Sequence, residues 1–282
     1  MTKFNPYSLN YNELTARAAE IARQQFSIED QIKMLGKILG MIDITTLEGS
    51  DTKDKISKLC GYAGTLTEKH RVPCTVAAVC FYMPFILPAR KFLEGTSIEV
   101  ATVAGGFPSG QLPVDLKVKE VEWCAGQGAD EIDVVISREK VLMNQPEELL
   151  NEVSAMKVAC GKAKMKVILE TGELETVANI RLACEIAING GADFLKTSTG
   201  KIKPAATPES FLIMLDTIRE YYEKTGKMIG IKAAGGIAEP NDAIHYYLMV
   251  KEVLGKDWLN KHFFRIGASR LVGKIVEQLE KN

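Results

Sequence analysis

The sequence predicts a fold of the α/β class, a (β/α)8 barrel preceded by a helical extension. Eight short runs recur along the chain, each near-continuously apolar rather than alternating. Strands of a parallel sheet, buried on both faces, read this way. An amphipathic helical pattern separates each run from the next, and eight such units in roughly 250 residues match a barrel. No Pro/Gly-rich linker divides the 282 residues, and 46% hydrophobic content suffices for one large core. A doubly wound open sheet is the alternative. It is weakened because neither GxGxxG nor GxxxxGK[ST] follows the first run.

In chain order, residues 1–36 stand outside the repeat. Tyr11 to Phe26 carries Leu14, Ala18 and Ile21 on one helical face. Ser27 with Asp30 reads as the cap of a second helix. These features predict an extension over 1–36 packed on a barrel domain over 37–282. The strand runs are LGMIDITTL, TVAAVCFYM, IEVATVAGGF, ADEIDVVIS, MKVILETG, ADFLKTSTG, IGIKAAGG and FFRIGAS. Between them, one helical face is formed by Ile56, Leu59, Cys60 and Ala63, and another by Val114, Val118, Val121 and Ala125. Leu149, Val153 and Met156 repeat the spacing, as do Val177, Ile180 and Ala183. Thr207 before Pro208 reads as an N-cap and first helical residue.

Composition excludes several classes of function. The 35 basic and 36 acidic residues nearly cancel, with no basic arm for nucleic acid. No run approaches the ~18 apolar residues of a membrane span, and the polar start MTKFNPYSLNYNEL does not resemble a signal peptide. Six cysteines (60, 74, 80, 124, 160, 184) without CxxC pairs read as reduced thiols, so a cytoplasmic setting is expected. The three histidines, His70, His245 and His262, form no HxH or HxxxH pattern, and no metal is expected.

Chemistry in such a barrel gathers at the C-terminal ends of the strands. The polar residues there are Asp43, Thr45, Cys80, Asp133, Lys166, Glu170, Thr171, Lys196, Thr197, Ser198, Thr199, Lys232, Arg265 and Ser269. Lys196 and Lys232 each stand alone in an apolar run, on strands six and seven, which this topology makes neighbours. Two ammonium groups in one pocket repel, and burial adds to the effect, so one amine loses its proton near neutral pH and becomes a nucleophile. That amine attacks a carbonyl to form an imine, the electron sink for an enamine. Asp133, an acid in an apolar strand, is the best candidate to move the proton. An internal Lys–Asp salt bridge that merely closes the barrel layers is the bland alternative. Glycines at Gly200-Lys201, Gly235-Gly236 and Gly267-Ala268-Ser269 suit loops whose N–H groups hold phosphate, although ordinary turn glycines would look the same. Cys80 has no activating partner in view and reads as a pocket or core thiol.

Seven segments in this order closely resemble the deoxyribose-phosphate aldolase family, from about residue 37 to about 275. They are DITTL, ATVAGGFPSG, GADEIDVVI, KVILETGEL, GADFLKTSTGK, GIKAAGG and FRIGAS. The resemblance implies a class I, Schiff-base aldolase on a (β/α)8 fold that needs no cofactor. The implied reaction is reversible cleavage of 2-deoxy-D-ribose 5-phosphate to D-glyceraldehyde 3-phosphate and acetaldehyde, in deoxynucleoside sugar catabolism. It implies Lys196 as the imine lysine, Lys232 as the lysine that lowers its pKa, and Asp133 as the proton relay. Asp43 and Lys166 would support the charge network. Thr45, Cys80 and Thr199 would line the pocket, and Gly200, Lys201, Gly235, Gly236, Gly267 and Ser269 would hold the phosphate. Partners are then small phosphosugars and aldehydes, with oligomeric state open, a homodimer included. The chain departs from the family pattern at Ala233, at Ala205-Ala206-Thr207, and at Ala238, where arginine is frequent. Arg270 stands where a small residue is common, and the ending QLEKN lacks the C-terminal tyrosine of some members. Another Schiff-base aldolase, a phosphosugar isomerase without an imine, and an idle barrel used as a scaffold remain the alternatives.

Overall fold

The eight apolar runs become eight parallel strands that close into a barrel in the order β1 to β8, with β8 pairing back onto β1. The computed structural model describes residues 1–281. The strands are β1 (Ile42–Thr45), β2 (Ala78–Tyr82), β3 (Glu99–Ala104), β4 (Glu131–Val135), β5 (Lys164–Ile168), β6 (Phe194–Lys196), β7 (Gly230–Ala234) and β8 (Phe264–Ala268). Ahead of them lie α1 (Tyr11–Ala22) and α2 (Ile28–Leu39). Between and after them come α3 (Lys53–Gly64), α4 (Leu66–His70), α5 (Ile86–Phe92), α6 (Val114–Gly126), α7 (Arg138–Leu142), α8 (Pro146–Ala159), α9 (Val177–Asn189), α10 (Pro208–Thr225), α11 (Pro240–Val253) and α12 (Leu271–Glu280). No helix among the described residues is long and apolar enough to cross a membrane.

The helix starts follow local chemistry. Asn10, Ser27, Thr52, Thr176 and Thr207 each accept a backbone N–H from the third residue of the helix that follows. Each such cap satisfies one of the orphan donors of a first turn. Helix α1 buries Leu14, Ala18 and Ile21 against α10 and α11, and α2 packs on α11 and α12. These side chains belong to the same apolar core as the barrel's outer face. The strand carrying Lys196 is set against its neighbour by a glycine. A Cβ on Gly230 would lie 2.4 Å from the Phe194 ring, so only glycine lets β7 approach β6 there.

One helical face differs from the sequence reading. Helix α6 turns Lys117, Val121 and Cys124 inward, and Val114, Val118 and Ala125 flank that stripe, half-buried. The lysine is wholly buried because its Nζ donates to Ser137 Oγ (2.8 Å), to Glu152 Oε1 on α8 (2.9 Å) and to the Val135 carbonyl (3.3 Å).

Candidate active site

Period-two alternation along parallel strands points register partners to the same side of the wall. Lys196 pairs in register with Lys232, and Asp133 with Lys166, so all four side chains enter the barrel. Lys196 Nζ lies 2.7 Å from Asp133 Oδ2. The same oxygen accepts from Lys232 Nζ at 2.8 Å, and Asp133 Oδ1 accepts from Lys166 Nζ at 2.8 Å. Lys232 Nζ also reaches Asp43 Oδ2 at 2.5 Å. Below them Arg265 donates to Asp43 Oδ1 at 2.6 Å and clasps Glu131 at 2.7 and 3.1 Å. Lys166 reaches Glu131 Oε2 at 2.6 Å, which links the two ends of the array.

The array is a charged column in the barrel's interior rather than a ring at its mouth. Lys196 ends its strand as the sequence reading places it. Lys166, Asp133 and Lys232 instead occupy the middle of their strands, and Arg265 is the second residue of β8. Sequence reasoning passed over Glu131. Its signal was available, since it stands two residues before Asp133 and therefore shares its face.

Counting the column shows how the amines are tuned. Lys166, Lys196, Lys232 and Arg265 face Asp43, Glu131 and Asp133, four cations against three carboxylates. Loss of one proton neutralises the set. Burial lowers the pKa of Lys196, and the Lys232 cation adds to the effect against the pull of Asp133. For Lys232, burial also pushes down, but Asp133 and Asp43 together outweigh it and its pKa is raised. Burial is likewise outweighed at Lys166, whose pKa Asp133 and Glu131 raise. Burial would raise the pKa of Asp133, yet three ammonium groups hold it well below the usual carboxylate range. Lys196 is therefore the amine closest to neutrality.

A cavity of about 280 Å³ opens above this column. Thr45, Lys196, Thr199, Gly200, Lys201, Gly235, Gly236, Gly267 and Ser269 line it. Lys196 is the one member of the column among its lining residues. Cys80 does not line it. Its thiol is wholly buried inside the barrel, and burial together with Asp133 pushes its pKa up to about 11. The loop glycines have the backbone freedom this wall needs. Gly200, Gly235 and Gly236 have φ of +79°, +85° and +83°, and a Cβ on Gly235 would lie 2.6 Å from that of Ala205. Arg270, the N-cap of α12, lines the cavity, so the start of that helix lies at this end, where its dipole favours an anion. Ala238 is part of the same wall.

Glu170 organises the loop after β6. It is buried with φ +54°, and its carboxylate accepts the Thr199 N–H (3.2 Å) and hydroxyl. Thr199 Oγ1 in turn accepts the Lys201 N–H at 3.1 Å. Burial raises the Glu170 pKa while the Thr199 bonds oppose the shift.

Fold and site together define a class: a (β/α)8 barrel with a buried amine, its pKa lowered by its surroundings, at the floor of a glycine-lined mouth. Comparison with known proteins gives the particular group. The chain belongs to the DeoC/LacD family of aldolases, whose model matches residues 37–248. It is 42% identical to the human deoxyribose-phosphate aldolase over 96% of this chain and 89% of that one. The mouse enzyme of the same name is 40% identical over the same shares. Among solved structures, the deoxyribose phosphate aldolase of Aeropyrum pernix, described as a tetramer, superposes with a TM-score of 0.66. That match has 25% identity and covers 90% of this chain and 99% of that one.

Proposed function

We propose that this chain is a class I aldolase that reversibly cleaves 2-deoxy-D-ribose 5-phosphate to D-glyceraldehyde 3-phosphate and acetaldehyde, with Lys196 as the imine lysine. Family membership and the names of the relatives support the reaction. The position of the amine carries the assignment: Lys196 alone of the charged column lines the cavity, and its pKa is the one lowered among the three lysines.

The substrate's phosphate lies against Gly200, Lys201, Gly235, Gly236, Gly267 and Ser269, and the C1 aldehyde of the open-chain sugar reaches Lys196. Thr45 and Thr199 flank the chain between these ends. The neutral amine adds to C1, and the carbinolamine loses water to give the iminium. The 3-hydroxyl loses its proton, the C2–C3 bond breaks, and its electron pair passes into the iminium to form an enamine. Glyceraldehyde 3-phosphate leaves. Protonation at C2 and hydrolysis then release acetaldehyde and regenerate the amine. Asp133, with an ordered water, moves the protons in these steps. It does so only when Lys196 no longer donates to it, because three ammonium groups otherwise keep it ionised. Lys232, Asp43 and Lys166 hold that charge balance. A cytoplasmic enzyme of deoxynucleoside sugar breakdown, working on small molecules, completes this reading.

Borohydride trapping with acetaldehyde, followed by intact mass and peptide mapping, tests it. One ethyl group at Lys196, absent from Lys196→Ala, is the expected result. An unmodified wild-type protein, or an adduct at another lysine, overturns the assignment.

A further inference from the structure

We propose that Glu48 is a specificity-determining residue, a carboxylate that holds Lys201 across the cavity mouth and sets how strongly that mouth takes a phosphate. The inference rests on the phosphosugar reading above and adds to it a residue with no role in the chemistry.

Glu48 lies in the loop after β1 and Lys201 in the loop after β6, 153 residues apart. Their side chains meet at 3.0 Å, Lys201 Nζ to Glu48 Oε1. Strands β7 and β8 stand between β1 and β6 on that side of the barrel. The pair is therefore a chord over the arc of wall that holds Gly235, Gly236, Gly267 and Ser269. Both partners line the cavity.

The loop holds Glu48 in place by its backbone. Its N–H donates to Asp51 Oδ2 at 2.9 Å, and its carbonyl accepts the Asp51 N–H at 3.0 Å. Asp51 is fixed in turn by Thr46 Oγ1 at 2.8 Å and Lys55 Nζ at 2.5 Å. Only the side chain of Glu48 is free to swing, and it is 63% exposed.

Two cationic side chains face this wall. Among the described residues Arg270 forms no ion pair, whereas Lys201 is committed to Glu48. Glu48 is the lone carboxylate lining the cavity. A dianionic phosphate entering here must take Lys201 from Glu48 and displace a like charge. A substrate with a plain hydroxyl at that end asks neither. Glu48 thus weakens phosphate binding relative to a neutral residue and narrows the gap between phosphorylated and unphosphorylated sugars.

Two measurements on Glu48→Gln test this. The first is the ratio of kcat/KM for 2-deoxyribose 5-phosphate to that for 2-deoxyribose. The second is the Kd of inorganic phosphate by isothermal titration calorimetry, which needs no turnover. Exposed ion pairs carry small energies, so the expected change is about two- to five-fold: a higher ratio and a tighter Kd. Lys201→Met should remove most of the effect of the Glu48 change. An unchanged ratio with unchanged Kd, or weaker phosphate binding in Glu48→Gln, overturns the proposal. If the wild type cleaves neither sugar, the aldolase reading fails instead, and the phosphate titration still decides the role of Glu48.

Discussion

Lys196 and Lys232 are register partners on adjacent strands, yet their surroundings tune them in opposite directions. The difference is a count of carboxylates. Lys232 touches both Asp43 and Asp133, whereas Lys196 touches Asp133 alone, and Asp133 is shared with two other cations. Replacing Lys232 with leucine removes a cation beside Lys196 and leaves Asp133 less compensated. Both changes favour the ammonium form of Lys196, so its pKa rises. The proposed nucleophile must be neutral, so the acid limb of the kcat/KM profile should move to higher pH, and activity near neutrality should fall severely. A pH–rate profile of Lys232→Leu checks this, and an acid limb that stays in place sinks the tuning role. The two lysines were legible in the sequence because each is a lone charge in an apolar run. Glu131 was legible by the same rule, two residues before Asp133 and so on its face, and was passed over because it opens its strand, away from the C-terminal end where chemistry is sought.

At the scale of elements, the strands were legible throughout and one helix face was not. All eight strands fall within or against the apolar runs, since a barrel wall covered by helices outside and packed inside stays apolar around the few charged residues of the column. In α6 the valines suggested a stripe that the structure rotates, because Lys117 is buried in its place. An apolar pattern cannot show a lysine paid for by a partner on α8. The Lys117–Glu152 pair ties α6 and α8 to the loop after β4, where the Ser137 N–H also donates to Glu152 Oε1 at 2.8 Å. Lys117→Met leaves buried Glu152 with one cation, Lys140 at 3.1 Å, and the Ser137 N–H. A loss of about 3 kcal/mol is expected in urea unfolding, most of it recovered by adding Glu152→Leu. A single variant as stable as the wild type counts against the clamp. The loop after β7 supports a sharper expectation. Gly235→Ala needs a φ of +85° and a contact of 2.6 Å with Ala205. It should cost about 1–3 kcal/mol and raise KM for the phosphorylated sugar far more than for the plain one. Equal changes in the two KM values would separate this loop from phosphate.

For the whole molecule, the charged column puts the candidate catalytic groups and a cluster of buried ion pairs in one place. The fold and the pair of buried lysines could be read from the sequence, since both follow from where apolar residues are interrupted. The balance of four cations against three acids could not, because it depends on which strands meet. That balance has a consequence for stability. Asp43 and Asp133 are wholly buried, and although burial alone would raise their pKa values, the surrounding cations lower both. The unfolded chain therefore binds protons on these groups more readily than the fold does. Their stabilisation is fully present above the unfolded carboxylate value of about 3.9 and is lost as pH falls through and below it. Glu99, Glu170 and Glu185, pushed up mainly by burial, act in the opposite sense. They are each partnered by fewer cations, so the two aspartates set the direction. The melting temperature should stay nearly level from about pH 7 to about pH 5 and fall steeply below about pH 4. Because the column is shielded from solvent, raising the salt from about 0.05 to about 0.5 M should barely move that acid midpoint, whereas exposed ion pairs would be screened over this range. Thermal melts across pH at both salt concentrations decide the matter. A midpoint that shifts strongly with salt would place the acid sensitivity on the surface ion pairs and not in the barrel.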